Sequence, residues 1–171
     1  MATRQQAVLT TRGNHEVGNL NSLKVKTLAH GAIVEGADID QFTIVELGFN
    51  ADGERTCKQL AAKDNKSYLI ASPEVRNMGE ELVDFYNAVG EHARIVILEE
   101  GYTRFDTSAF TGTPAFGQKA HFDVATKKFL LHDGSHADYA GSKAKFLVVS
   151  NEDNLEYTCG KELVRLEVLE A

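Results

Sequence analysis

The chain has 171 residues, enough for one domain with a sizeable core or for two small lobes sharing a seam. Apolar residues make up 43% and charged residues 25%, so the bulk of the chain is expected to fold. The 18 Lys and Arg against 25 Asp and Glu give a net charge of −7 with no basic stripe, which argues against nucleic acid as a partner; the longest apolar runs, such as residues 95–98, fall far short of the ~20 residues that cross a bilayer.

Residues 1–21 are polar and poorly periodic, with Gly13, Asn14, Gly18, Asn19 and Asn21 interrupting any helix or strand. They read as an extended N-terminal arm. The opening residues lack the apolar stretch of a secretory signal, so synthesis in the cytoplasm is expected. Cys57 and Cys159 belong to no C-x-x-C pair and are read as two unpaired, apolar-packed thiols.

From Leu23 short β-like runs begin. Residues 23–28 alternate apolar and polar, and residues 42–47 (FTIVEL) are rich in β-branched and aromatic side chains. Gly31, Gly36 and residues 37–40 between them carry turn chemistry, as does Asn50-Ala51-Asp52-Gly53 after them. Residues 67–71 form another strand, followed by a helix start: Ser72 suits an N-cap, Pro73 the first helical position and Glu74 the positive end of the dipole. Val75, Met78, Leu82, Phe85 or Tyr86, and Val89 continue at helical spacing, although Gly79 weakens the middle, so a helix or two half-helices are expected near 73–89, ended by Gly90.

Residues 93–99 have the continuous apolar character of a buried strand, with residues 104–110 as its alternating partner. The Thr111-Gly112-Thr113-Pro114 cluster marks a boundary, giving a β-rich lobe over 22–110 and a second β-rich lobe over 111–171. In the second, runs at 120–123, 128–131, 145–149, 156–159 and 163–169 are spaced like the strands of a small barrel or sandwich. Val164, Leu166 and Val168 should face a core of Phe129, Leu131, Phe146 and Val148, leaving Arg165 and Glu167 in solvent. The fold class is therefore mainly β, a β-rich α+β chain.

Three places invite an enzyme reading. Arg12-Gly13-Asn14-His15-Glu16 resembles a segment of calcineurin-like metallophosphatases, but the upstream Asp and His ligands of that two-metal centre have no counterpart in the eleven residues before it. His132-Asp133-Gly134-Ser135-His136-Ala137-Asp138 gathers imidazole and carboxylate, yet Gly134 makes it a loop and not a helix face that could hold zinc. His121-Phe122-Asp123 puts two polar groups on one strand face without a third ligand. No nucleophile elbow or phosphate-cradling loop is present. The sequence therefore assigns no catalytic residue, no metal ligand and no cofactor, and the chain is read as a non-enzyme. A metal-dependent phosphoesterase built on residues 12–16 and a carbohydrate or cell-surface binding module are the alternatives, the latter weakened by the absence of Trp.

Over most of its length, in stretches such as residues 9–16, 90–97 and 143–149, the chain resembles the head decoration (capsid cement) proteins of tailed bacteriophages. The resemblance implies a virion structural protein on the capsid exterior that binds the major capsid protein lattice and other copies of itself, often in trimers, with no catalysis and no cofactor. Within the arm, Thr10, Thr11, Arg12, Asn14, His15 and Glu16 are the candidate partner-binding residues, since a segment that orders on a neighbouring subunit can wrap a large surface.

Overall fold

The runs richest in β-branched and aromatic residues are strands in the computed structural model of the chain, which describes residues 25–73, 85–150 and 163–171. Four strands open the first sheet: β1 (Ala32–Val34), β2 (Thr43–Phe49), β3 (Arg55–Gln59) and β4 (Tyr68–Ile70). The Asn50 turn joins β2 to β3. Its side-chain Oδ1 accepts from the amides of Asp52 and Glu54, and Gly53 supplies a φ of 79°. β3 lies between β1 and β2, β1 against β3 being parallel, and β2 also pairs with β4.

Residues 92–96 tie the two outer strands of this sheet together. Residues His92–Ala93 (β5) pair with β1 and Ile95–Val96 (β6) with β4, so the sheet curls into a nearly closed ring with a bend at Arg94. At that bend the Arg94 amide donates to Ser72 Oγ, and its carbonyl accepts from Ala71. Gly31, just before β1, is the one residue type that fits there. A Cβ would lie 2.1 Å from the Ala93 carbonyl oxygen, and the φ of +64° is in the left-handed region.

The second sheet holds β7 (Arg104–Thr107), β8 (Phe110–Thr111), β9 (Lys119–Asp123), β10 (Lys128–His132), β11 (Lys145–Ser150) and β12 (Val164–Glu170). It closes in the same way, because β7 pairs with β12 and β8 with β10 across a bend at residues 108–109. Counting 92–96 and 104–111 each as one bent strand, both sheets are rings of five with one connectivity. The first strand runs parallel to the third; third with second, second with fourth, fourth with fifth and fifth with first are antiparallel. The architecture is thus built twice, and the fold is mainly β as its residue patterns indicate.

Both faces of the first sheet are buried. Val34, Val45, Cys57, Ile70, Ala93 and Ile95 form one cluster. Their neighbours Ile44, Leu69 and Val96, on the opposite face, join a larger cluster with Phe105, Phe122, Phe129, Phe146, Val148, Leu166 and Val168 of the second sheet. Two-sided burial explains the consecutive apolar pairs Ile44-Val45 in β2, Leu69-Ile70 in β4 and Ile95-Val96 in β6. In the second sheet Phe129 packs against Phe105, Phe122 and Phe146 with ring centroids 5.2–5.5 Å apart. The expected core of Val164, Leu166 and Val168 with Phe129, Leu131, Phe146 and Val148 is present.

Several expectations change. Residues 104–107 pair with β12 and not with the run at 93–99, so the second sheet begins ahead of Thr111. The run at 93–99 is interrupted at Arg94. Of the expected strand 23–28, the described part makes a single bridge, Thr27 to Val96. β1 and β3 occupy stretches read as turn or left unassigned. The helix near 73–89 falls mostly outside the described residues, but 85–89 are not helical: Asn87 bridges Ile39, and the Ser72 hydroxyl accepts from Arg94. Buried Gln41 fastens both ends of this excursion, its amide donating to the Ser72 carbonyl and accepting from the Ser72 amide and from Asn87 Nδ2. The arm and Cys159 also lie outside the described residues.

Candidate functional site

In β9, Ala120 and Phe122 enter the core, so strand alternation turns His121 to the opposite face. In β10, Leu131 enters the core and His132 faces outward in the same manner. The antiparallel register pairs Leu130 with His121 and His132 with Lys119, which makes the two imidazoles diagonal neighbours. Over them sits α1 (Ala137–Gly141), N-capped by His136. The helix closes the site: His121 is 2% exposed.

The rings are in contact. The His121 centroid lies 5.1 Å from that of His132 and 4.9 Å from that of His136, and Tyr139 packs edge-on to His132 at 4.8 Å. His132 Nδ1 accepts from the Gly134 amide at 2.9 Å, so in the neutral ring the proton is on Nε2. That proton is donated to His121 Nδ1 at 3.0 Å, which places the His121 proton on Nε2. His136 Nδ1 accepts from the Asp138 amide at 3.2 Å. Lys63, from the β3–β4 connection, donates to Asp138 at 2.5 Å and ties the first sheet to α1. Lys145 lies over the Tyr139 ring and pairs with Glu170.

Charge is expelled from two of the imidazoles, His121 and His132. Burial, followed by the neighbouring His132 and His136, pushes His121 down to about 4. His132 is lowered by burial and then by His136. The hydrogen bond from Lys63 holds the Asp138 carboxyl below its ordinary value. At neutral pH His121 and His132 are therefore neutral nitrogen donors, near the ionised Asp138 carboxylate. One donor atom from each of His121, His136 and Asp138 comes within 4.8 Å of the others. This set can take a metal ion. It is poorly arranged for general-base catalysis, since the lone pairs of His121 Nδ1 and His132 Nδ1 are already engaged.

The sequence weighed His121-Phe122-Asp123 and residues 132–138 separately and assigned neither a ligand set. The structure brings them together, with one substitution of roles: Asp123 caps its own turn, accepting from the Ala125 amide and the Thr126 hydroxyl, and Asp138 takes the carboxylate place beside His121. The stretch read as a loop also ends in a short helix. Nothing in the chain order links His121 to His136; only the β9–β10 register does. Cys57 is a free, buried thiol pushed up to about 11 by burial, as an apolar-packed cysteine should be. Thr10, Thr11, Arg12, Asn14, His15 and Glu16 lie outside the described residues. Among the described residues no helix is long and apolar enough to cross a membrane.

The profile of a family described as YonC prophage protein matches residues 11–169. The chain is 64% identical, over 178 aligned positions covering all of both chains, to an SPbeta prophage-derived uncharacterized protein of Bacillus subtilis (strain 168). No solved structure matches it.

Proposed function

The chain belongs to the YonC prophage protein family, and from that premise we propose that it is a non-enzymatic structural protein of the phage particle. It binds the outer surface of the major capsid protein lattice and stabilises the head, with neighbouring copies of itself as further contacts. The observation that carries the reading is the duplicated, nearly closed ring in a prophage-derived chain. Each ring joins its own outer strands, so among the described residues neither sheet offers a long open edge for strand addition. A partner must then be met through side chains and connecting segments. The arm, with Thr10, Thr11, Arg12, Asn14, His15 and Glu16, is the segment assigned to the capsid. Repetition of the arm's contacts over many lattice sites adds up to preferential binding to the assembled form.

Co-sedimentation with expanded heads of the parent phage tests this. The full chain should pellet with heads and raise their resistance to heat or chelator, and a chain lacking residues 1–21 should fold but stay in the supernatant. A full chain that leaves heads unbound would overturn the proposal.

A further inference from the structure

We propose that His121, His136 and Asp138 form a binding site for one divalent transition-metal ion of the zinc class, a role separate from capsid binding. The donors come from two anchored elements, His121 from the middle of β9 and the other two from the start of α1. Two imidazoles and one carboxylate suit zinc, cobalt or nickel, whereas calcium and magnesium prefer oxygen alone. In His121 and His136 the Nδ1 atom is engaged by a hydrogen bond, so each ring would coordinate through Nε2. His132 stands 3.0 Å behind His121 Nδ1, in the outer position that orients a ligating imidazole.

Local changes accompany binding. Lys63 now occupies the Asp138 carboxylate as a cation; the metal replaces it, and the half-exposed lysine moves to water. His121 must also present an Nε2 lone pair. Its proton passes to Nδ1 and is donated to His132 Nε2, whose own proton moves to His132 Nδ1. His136, whose Nδ1 accepts from the Asp138 amide and whose proton is therefore on Nε2, likewise shifts that proton to Nδ1 to free Nε2; no proton is released, but the hydrogen bonds from the Gly134 amide to His132 Nδ1 and from the Asp138 amide to His136 Nδ1 are both lost. A water completes the coordination, since His136 and Asp138 are open to solvent. The ion would fasten α1 to β9 and release its tether to the first sheet.

The test uses the full chain stripped with EDTA, titrated with Co²⁺ by visible absorption and with Zn²⁺ by calorimetry. One ion per chain should bind, with the intense d–d bands of four-coordinate Co²⁺, and the Gly134 amide resonance should shift. His136→Asn keeps an N-cap acceptor while removing the imidazole, and Asp138→Asn keeps the side-chain shape; each should weaken binding at least about tenfold without changing the circular dichroism spectrum. His15→Ala should leave binding unchanged. Failure to take up either metal, or uptake indifferent to both His136→Asn and Asp138→Asn, would overturn the site. Capsid co-sedimentation in EDTA reads the structural proposal independently.

Discussion

Arg165 lies on the outer face of β12, where pattern alone makes it a dispensable surface charge worth no more than ~1 kcal/mol. Its cross-strand neighbour on β7 is Asp106, 3% exposed, and the guanidinium reaches it with two hydrogen bonds, Nε to Oδ1 at 2.8 Å and Nη2 to Oδ2 at 3.0 Å. Arg165→Ala removes the guanidinium from a buried carboxylate. Breaking a fully buried pair costs about 3–5 kcal/mol, and because the Arg165 side chain is 28% exposed water can enter, so we expect about 2–3 kcal/mol. For a chain of this size that lowers the Tm by about 4–12 °C. Urea denaturation of Arg165→Ala, Asp106→Ala and the double variant should give a coupling energy of at least about 1.5 kcal/mol. A single variant within ~0.5 kcal/mol of wild type and no coupling would make the pair a screened surface contact.

Leu166, wholly buried among the phenylalanines of the second sheet, should cost about 3–5 kcal/mol on truncation to Ala, read by the same denaturation. A silent Leu166→Ala would shift the β12 register by one residue. Cys57 should react with a thiol reagent at pH 8 only as fast as the chain opens, because burial disfavours its thiolate; instant labelling would contradict its place in the core. His121 sets an acid dependence in EDTA. Its folded value near 4 lies below the 6.5 of the unfolded chain, so the unfolded state binds the extra proton and stability falls as pH drops through this window. Between pH 7.5 and 5 the loss should be about 2 kcal/mol, seen as a Tm lower by about 4–8 °C, and a flat Tm would refute burial of the ring.

What the sequence reveals and conceals follows from the range of the forces involved. β2, β9, β10, β11 and β12 declare themselves because each is five to seven residues long and either alternates or sets two or more apolar residues in a row within that length. β1 is three residues between glycines, and β3 (RTCKQ) buries only Thr56 and Cys57 against polar neighbours, so neither carries a period long enough to read. Ring closure is invisible for a different reason. The bends at Arg94 and at residues 108–109 divide single runs between two partners far apart in sequence, which no local pattern encodes. The same long-range register assembles the site. His121 and residues 132–138 were each noticeable, and each lacked a ligand until β9 paired with β10 and α1 folded back over both. Pattern alone puts Arg165 on the outer face of β12, but its worth depends on Asp106 across the β7–β12 pair.

The claim that this is a component of the phage particle is tested most directly by quantifying it in gradient-purified virions from an induced lysogen that carries the gene. Quantitative mass spectrometry should find the chain in particles at a fixed ratio to the major capsid protein, and a deletion of residues 1–21 should remove it from them. Abundant chain in the lysate with none in the particles would contradict the account.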